Sequence, residues 1–113
     1  MNKFKYEQVQ PIEREQALRD LESSDPEVVA STLYRAARSD EDTKWVENAC
    51  LERLKSPELK VRWAAATCLG DLAFLRRPLD VKRVIPALEE ATKDASISDP
   101  ARFSLSMVRQ FSA

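Results

Sequence analysis

The sequence predicts an all-α fold of three stacked helical hairpins, and three observations predict it. Glycine occurs once in 113 residues, whereas the tight turns and bulges of β-rich folds draw on it repeatedly. Apolar residues recur at helical spacing along most of the chain. And Asp25-Pro26, Ser56-Pro57 and Asp99-Pro100 each set a hydrogen-bond-accepting side chain before a proline. Proline suits the first helical position, where its missing N–H has no intrahelical partner to lose, and the preceding oxygen satisfies a neighbouring orphan amide.

Taken in order, Ile12, Ala17, Leu18 and Leu21 mark a helix over 11–23. The next, over 26–38, turns Val29, Leu33, Ala36 and Ala37 inward. Trp45, Val46, Ala49, Cys50 and Leu54 mark a third over 42–55; Asp40, Glu41 and Asp42 stand at its start, where carboxylates favour the helix dipole. The fourth spans 57–75. Val81, Val84, Ile85, Leu88 and Ala91 mark the fifth, over 80–94, and the sixth covers 99–111. Connections such as 39–42 and 76–80 are short, so consecutive helices lie antiparallel. The hairpins are 11–38, 42–75 and 80–111, expected to form a single domain. Prolines 26, 57 and 100 are 31 and 43 residues apart, a period that indicates an α-solenoid, a right-handed α–α superhelix of two helices per unit. A lone hairpin cannot bury its apolar face, and about three units are the usual minimum.

The fourth helix carries apolar residues on more than one side. Val61, Ala65, Cys68, Leu72 and Leu75 form one stripe, and Leu59, Trp63, Ala66, Gly70 and Phe74 another. As the second helix of the middle hairpin it has neighbours on several sides. Ala64–Ala66 and Gly70 keep it thin, and close packing offsets the cost of an interior glycine, about 1 kcal/mol against alanine. The expectation is a buried central helix, with Trp45 and Trp63 both in the core and little of the stretch left for a partner.

Net charge is −1, so no global field draws the chain to nucleic acid or membrane. Residues 1–56 carry nine Lys/Arg against twelve Asp/Glu, and residues 57–113 nine against seven, a weak polarity. No apolar run reaches the roughly 18 residues of a membrane span. Cys50 and Cys68, without a leader segment, predict buried thiols in a reducing compartment and a cytoplasmic protein. Histidine is absent, which removes the commonest general base and metal ligand. No C-x-x-C, glycine-rich phosphate loop, G-x-S-x-G or zincin motif occurs. No catalytic residue, metal or cofactor is expected, and the chain reads as a non-enzyme.

The run SPELKVRWAAATCLG resembles the second helix of a HEAT repeat through Val61-Arg62, Ala64, Ala65, Leu69 and Gly70. VIPALEEATKD (84–94) is similar to the first helix of such a repeat, with Pro86 at its internal proline. Ser56 stands where the family's cap is usually Asp, the partner of an inter-repeat ladder with arginine. The likeness runs over about 42–111 and is loose over 11–38. It implies a HEAT/armadillo-like array and a protein-binding scaffold; DNA-binding relatives make nucleic-acid binding the alternative from another class.

Solenoids line a concave face with their second helices. The protein-binding candidates there and on the adjoining linker are Tyr34, Arg35, Arg38, Arg62, Arg76, Arg77, Arg102 and Arg109, since arginine and tyrosine are enriched at binding hot spots. Asp40, Glu41, Asp42 and Glu47 form an alternative acidic patch. The opening arm, with Phe4 and Tyr6, is expected to cap the first hairpin. The functional expectation is a non-catalytic module that binds another protein: a small bacterial inhibitor, such as an immunity protein that neutralises a toxin, or an adaptor or assembly factor.

Overall fold

The computed structural model describes residues 10–112; the expected cap by Phe4 and Tyr6 lies outside them. Six helices occur among the described residues: α1 (Arg14–Leu21), α2 (Pro26–Ser39), α3 (Thr43–Arg53), α4 (Leu59–Phe74), α5 (Val81–Ala91) and α6 (Ser98–Phe111). They form two layers. In the inner layer α4 lies between α2 and α6, and its contact with α6 is the most extensive in the molecule. In the outer layer α1 backs α2, α3 backs α2 and α4, and α5 backs α6 while touching α4 only slightly.

The helix starts follow capping chemistry, with two corrections. Asp25 accepts from the Glu27 amide at 2.9 Å and α2 begins at Pro26, as the Asp-Pro pair predicts. Ser56 accepts from the Glu58 amide at 3.1 Å, but α4 begins at Leu59, so Ser56-Pro57 forms the approach to the helix and not its first turn. Asp99-Pro100 lies inside α6, which starts at Ser98. Pro100 is tolerated there because the first four amides of a helix have no intrahelical acceptor. The turn leading into α6 is instead shaped by Asp94, whose carboxylate accepts from the Ser96 amide and hydroxyl at 2.9 and 2.6 Å. α5 continues through Pro86, which is exposed on the outer layer.

The α4–α6 contact explains the single glycine. A Cβ on Gly70 would stand 2.9 Å from the Ser104 Cα, closer than real contacts allow. Ser104, fully buried, donates its hydroxyl to the Ala66 carbonyl at 2.6 Å, across the same crossing. Ala64, Ala65, Ala66 and Ala73 are also fully buried on α4. Small side chains thus bring the inner helices together, while the outer layer opens: a cleft of about 350 Å³ lies by Leu51, Leu54, Ala87, Ala91 and Ile97, at the α3–α5 side. Tight inner and loose outer spacing is how stacked hairpins acquire curvature.

The junctions between hairpins are polar and specific. Arg14 grips Asp40 with Nε and a terminal nitrogen, both at 2.9 Å, and its guanidinium lies 4.3 Å from the centre of the Trp45 ring. Asp40 also accepts from the Asp42 amide, and its carbonyl accepts from Arg77 at 2.6 Å. These donors, Arg14 first, hold the Asp40 carboxyl below the usual aspartate range. Glu47, 2% exposed, accepts from the Asp80 amide at 2.9 Å and meets Arg83 at 3.4 Å, tying α3 to the start of α5. Cys50 and Cys68 are free thiols buried at the α3–α4 contact. The Cys68 thiol is raised well above its ordinary range, first by its hydrogen bond with Cys50 and then by burial.

Two outcomes follow. Gly70→Ala should destabilise the protein by about 1–3 kcal/mol through overpacking, against a gain of about 1 kcal/mol in helix propensity, because the new methyl meets both the Ser104 side chain and its backbone Cα. Thermal melts of Gly70→Ala, Ser104→Gly and the double variant check it: the double variant should lose less than the two singles together. Asp40→Asn should cost about 1 kcal/mol at neutral pH, allowing for the exposure of Arg14. With its folded pKa lowered, the Asp40 contribution is complete above the ordinary value near 3.9 and is lost as pH falls through the folded one. Denaturant titrations of the Asn variant should therefore converge on the wild type in strong acid.

Candidate protein-binding surface

Helical spacing puts Leu59, Trp63, Ala66, Gly70 and Phe74 on one side of α4. That side is buried only in its middle, where Ser104 covers Ala66 and Gly70. At its ends Leu59, Trp63 and Phe74 are 48%, 42% and 60% exposed. Leu75, at the C-cap of α4, and Phe103, next to Ser104 on α6, are exposed as well. Of the six large apolar side chains exposed among the described residues, only Leu18 lies elsewhere, so the exposure is concentrated rather than scattered. Two expectations are corrected here. Trp63 and Leu75 are surface residues, and Trp45 is half-buried beneath Arg14 rather than enclosed in the core. The physical reason is that α6 covers this side of α4 at Ala66 and Gly70 but leaves its ends uncovered.

Between α2 and α6 this surface sinks into a groove of about 310 Å³ lined by Arg38, Gly70, Asp71, Phe74, Leu75, Phe103 and Met107. Gly70 helps form it, because a larger residue would force α6 away. The end of the groove is held by a ring cluster: Phe111 meets Phe74 edge-on, centroids 6.1 Å apart at 84°, and the Arg76 guanidinium lies 4.4 Å over Phe111. Arg76 has φ 61°. Its amide bonds the Ala73 carbonyl and that of Arg77 the Leu72 carbonyl, a Schellman ending of α4 with arginine at the position glycine usually takes. The left-handed conformation costs a residue with a Cβ about 1 kcal/mol, and the contact with Phe111 offsets part of it.

Asp71 is the carboxylate of the groove. It is half-buried, and burial raises its pKa, with the charge of Arg38 opposing the shift. Tyr34, half-buried on α2, has its hydroxyl pKa raised first by burial, with Cys68, Thr67 and Asp71 among its neighbours.

The other sequence candidates divide into two groups. Arg35 holds the Gln10 and Pro11 carbonyls, both at 2.9 Å, and anchors the entry to α1. Arg77 bonds the Thr43 hydroxyl at 2.7 Å as well as the Asp40 carbonyl. Arg62 reaches the third hairpin, with Asp94 at 3.3 Å and the Ser96 hydroxyl at 3.1 Å, and also bonds the Ser56 carbonyl. An Asp–Arg link between hairpins thus exists, with Asp94 supplying the acid. Arg109 pairs with Glu89 at 2.6 Å. These four arginines serve the fold. Arg38 and Arg102 are exposed, with no hydrogen-bond or ion-pair partner among the described residues. The acidic patch does not form one surface: Glu47 is internal, Asp40 is bound by Arg14, Asp42 caps α3 through the Trp45 amide, and Glu41 alone is simply exposed. The apolar wall of Phe74, Leu75, Phe103 and Met107 was absent from the candidates read from the sequence, where the second stripe on the fourth helix signalled Phe74 alone.

The HEAT repeat model matches residues 47–75. The matched HEAT segment runs from the buried Glu47 of α3 through all of α4 to its C-cap, the middle hairpin, so the fold is a HEAT-repeat-like helical array. Comparisons with curated proteins and with solved structures return no match. HEAT repeats are commonly protein-interaction modules. No helix among the described residues is long and apolar enough to cross a membrane.

Asp71→Asn tests the electrostatics of the groove. A raised folded pKa means that charged Asp71 costs stability above that pKa and nothing below the unfolded value near 3.9. The variant should melt higher than wild type at pH 7, and the difference should vanish in acid. An unchanged melting temperature at pH 7 would show that Arg38 fully compensates the carboxylate.

Proposed function

We infer that the chain is a non-catalytic protein-binding module, its three hairpins acting as one unit, and that the inner-layer face of α4 and α6 is the surface it uses. The observation that carries this reading is the exposure of Phe74, Leu75 and Phe103 around one groove, with Leu59 and Trp63 exposed toward the other end of α4. Contiguous apolar surface left in water is costly and marks interaction sites, whereas single exposed apolar residues need no explanation. Aromatic residues dominate binding energy where they become buried. Helices hold these side chains in fixed geometry, so little further ordering is needed on association.

A toxin inhibitor, an adaptor and an assembly factor would all use such a face in the same way, by covering part of a partner. Buried free thiols at Cys50 and Cys68 fit a reducing cytoplasm. The test is crosslinking in cells with a photoreactive phenylalanine analogue, placed at Phe103 or, as control, at Lys82, exposed on α5. Protein adducts should form from position 103 and not from 82. Equal patterns from both positions would refute the assignment of the face.

A further inference from the structure

The charges around the groove give the chemistry of what it binds. Several ionic groups on the inner helices are satisfied internally: Lys60 with Glu27, Arg62 with Asp94 and Arg109 with Glu89. Among the described residues, the cations around the groove outside these pairs are Arg38 on the groove wall, Arg76 over the ring cluster at its end, and Arg102 beside Phe103. Against them stand Asp71, whose charge Arg38 offsets, and the exposed Asp99. Around the apolar wall three cations thus stand against two carboxylates, a small positive excess.

We propose that the groove over Gly70 receives an acidic amphipathic segment of a partner protein, its apolar side chains seated between Phe74 and Phe103 and its carboxylates facing Arg38 and Arg76. This rests on the protein-binding reading above and specifies the partner's chemistry. A basic segment would meet Arg38 on one wall and Arg76 at the end. An acidic one gains at both, and unlike charges across an interface set partner choice as much as affinity. Nucleic acid is a poorer fit. Three cations supply only a small phosphate contribution, and the carboxylates of Asp71 and Asp99 beside them oppose it.

The chain offers two clean reporters. Gly70 is its only glycine, and of its two methionines Met107 is the one among the described residues, where it lines the groove. Nitrogen-labelled glycine and methyl-labelled methionine therefore read the groove by NMR without full assignment. The probes are a synthetic amphipathic peptide of about four helical turns with Leu and Phe on one face and Glu on the other, its twin with Lys in place of Glu, and oligothymidylate. The Glu peptide should shift Gly70 and Met107 saturably. Its affinity should fall about fivefold in Arg38→Gln, at least about tenfold in Phe103→Ser, and with added salt. Both substituted residues are exposed, and unchanged circular dichroism would confirm that the variants fold. Equal or tighter binding of the Lys twin would overturn the acidic preference and leave protein binding standing. Oligothymidylate binding more tightly than the Glu peptide would overturn it in favour of nucleic acid. A Met107 signal that no probe moves would remove the groove as a docking site, leaving the crosslinks from position 103 to decide protein binding on their own.

Discussion

The distance between α4 and α6 is the constraint on which the rest of the structure depends. It is set where Gly70 faces the Ser104 backbone and the Ser104 hydroxyl reaches the Ala66 carbonyl. A hydroxyl buried at a helix crossing must find an acceptor, because an unpaired one costs about 1–3 kcal/mol. The carbonyl of a neighbouring helix can serve only if the backbones come close. Glycine and serine therefore specify each other. Their approach draws the inner layer together, leaves the outer helices apart, and leaves Phe74 and Phe103 on the two sides of a groove whose floor is the crossing itself.

The polar residues follow a consistent division. Those at hairpin junctions are used internally: Arg14 with Asp40, Arg77 with Thr43, Glu47 with the Asp80 amide, Arg62 with Asp94 and Ser96. Each ties a loop or helix end to a segment more than twenty residues away and fixes the rotation of one hairpin against the next. Exposed ion pairs contribute little stability, but buried or half-buried ones leave an unpaired charge when broken, so they select one arrangement over its neighbours. Arg38 and Arg102, without such partners among the described residues, lie on the inner helices together with the exposed apolar side chains.

Much of the fold was legible because it is written in local signals. Helical periodicity, short connections and capping residues each act within a few positions of themselves, and they located all six helices. The errors were local as well. Ser56-Pro57 and Asp99-Pro100 share the pattern of Asp25-Pro26, but proline is compatible with several positions in and just before the first helical turn, so the pattern does not set the starting residue. The candidate site was less legible. An arginine in a sequence looks alike whether it pairs across twenty residues or faces solvent, and an apolar stripe looks alike whether a neighbour covers it or not.

By itself, then, the sequence determined the helices, their pairing into hairpins, the likeness of the middle hairpin to a HEAT repeat, and the absence of histidine-based chemistry. Tertiary structure alone decided that Glu47 is internal, that Trp63 and Leu75 are not, and which arginines remain for a partner. The reason is physical. Secondary structure depends on propensities and hydrogen bonds a few residues apart, whereas exposure depends on which surfaces distant segments cover. That is settled only once α4 and α6 have closed at Gly70 and left the two ends of that side of α4 uncovered.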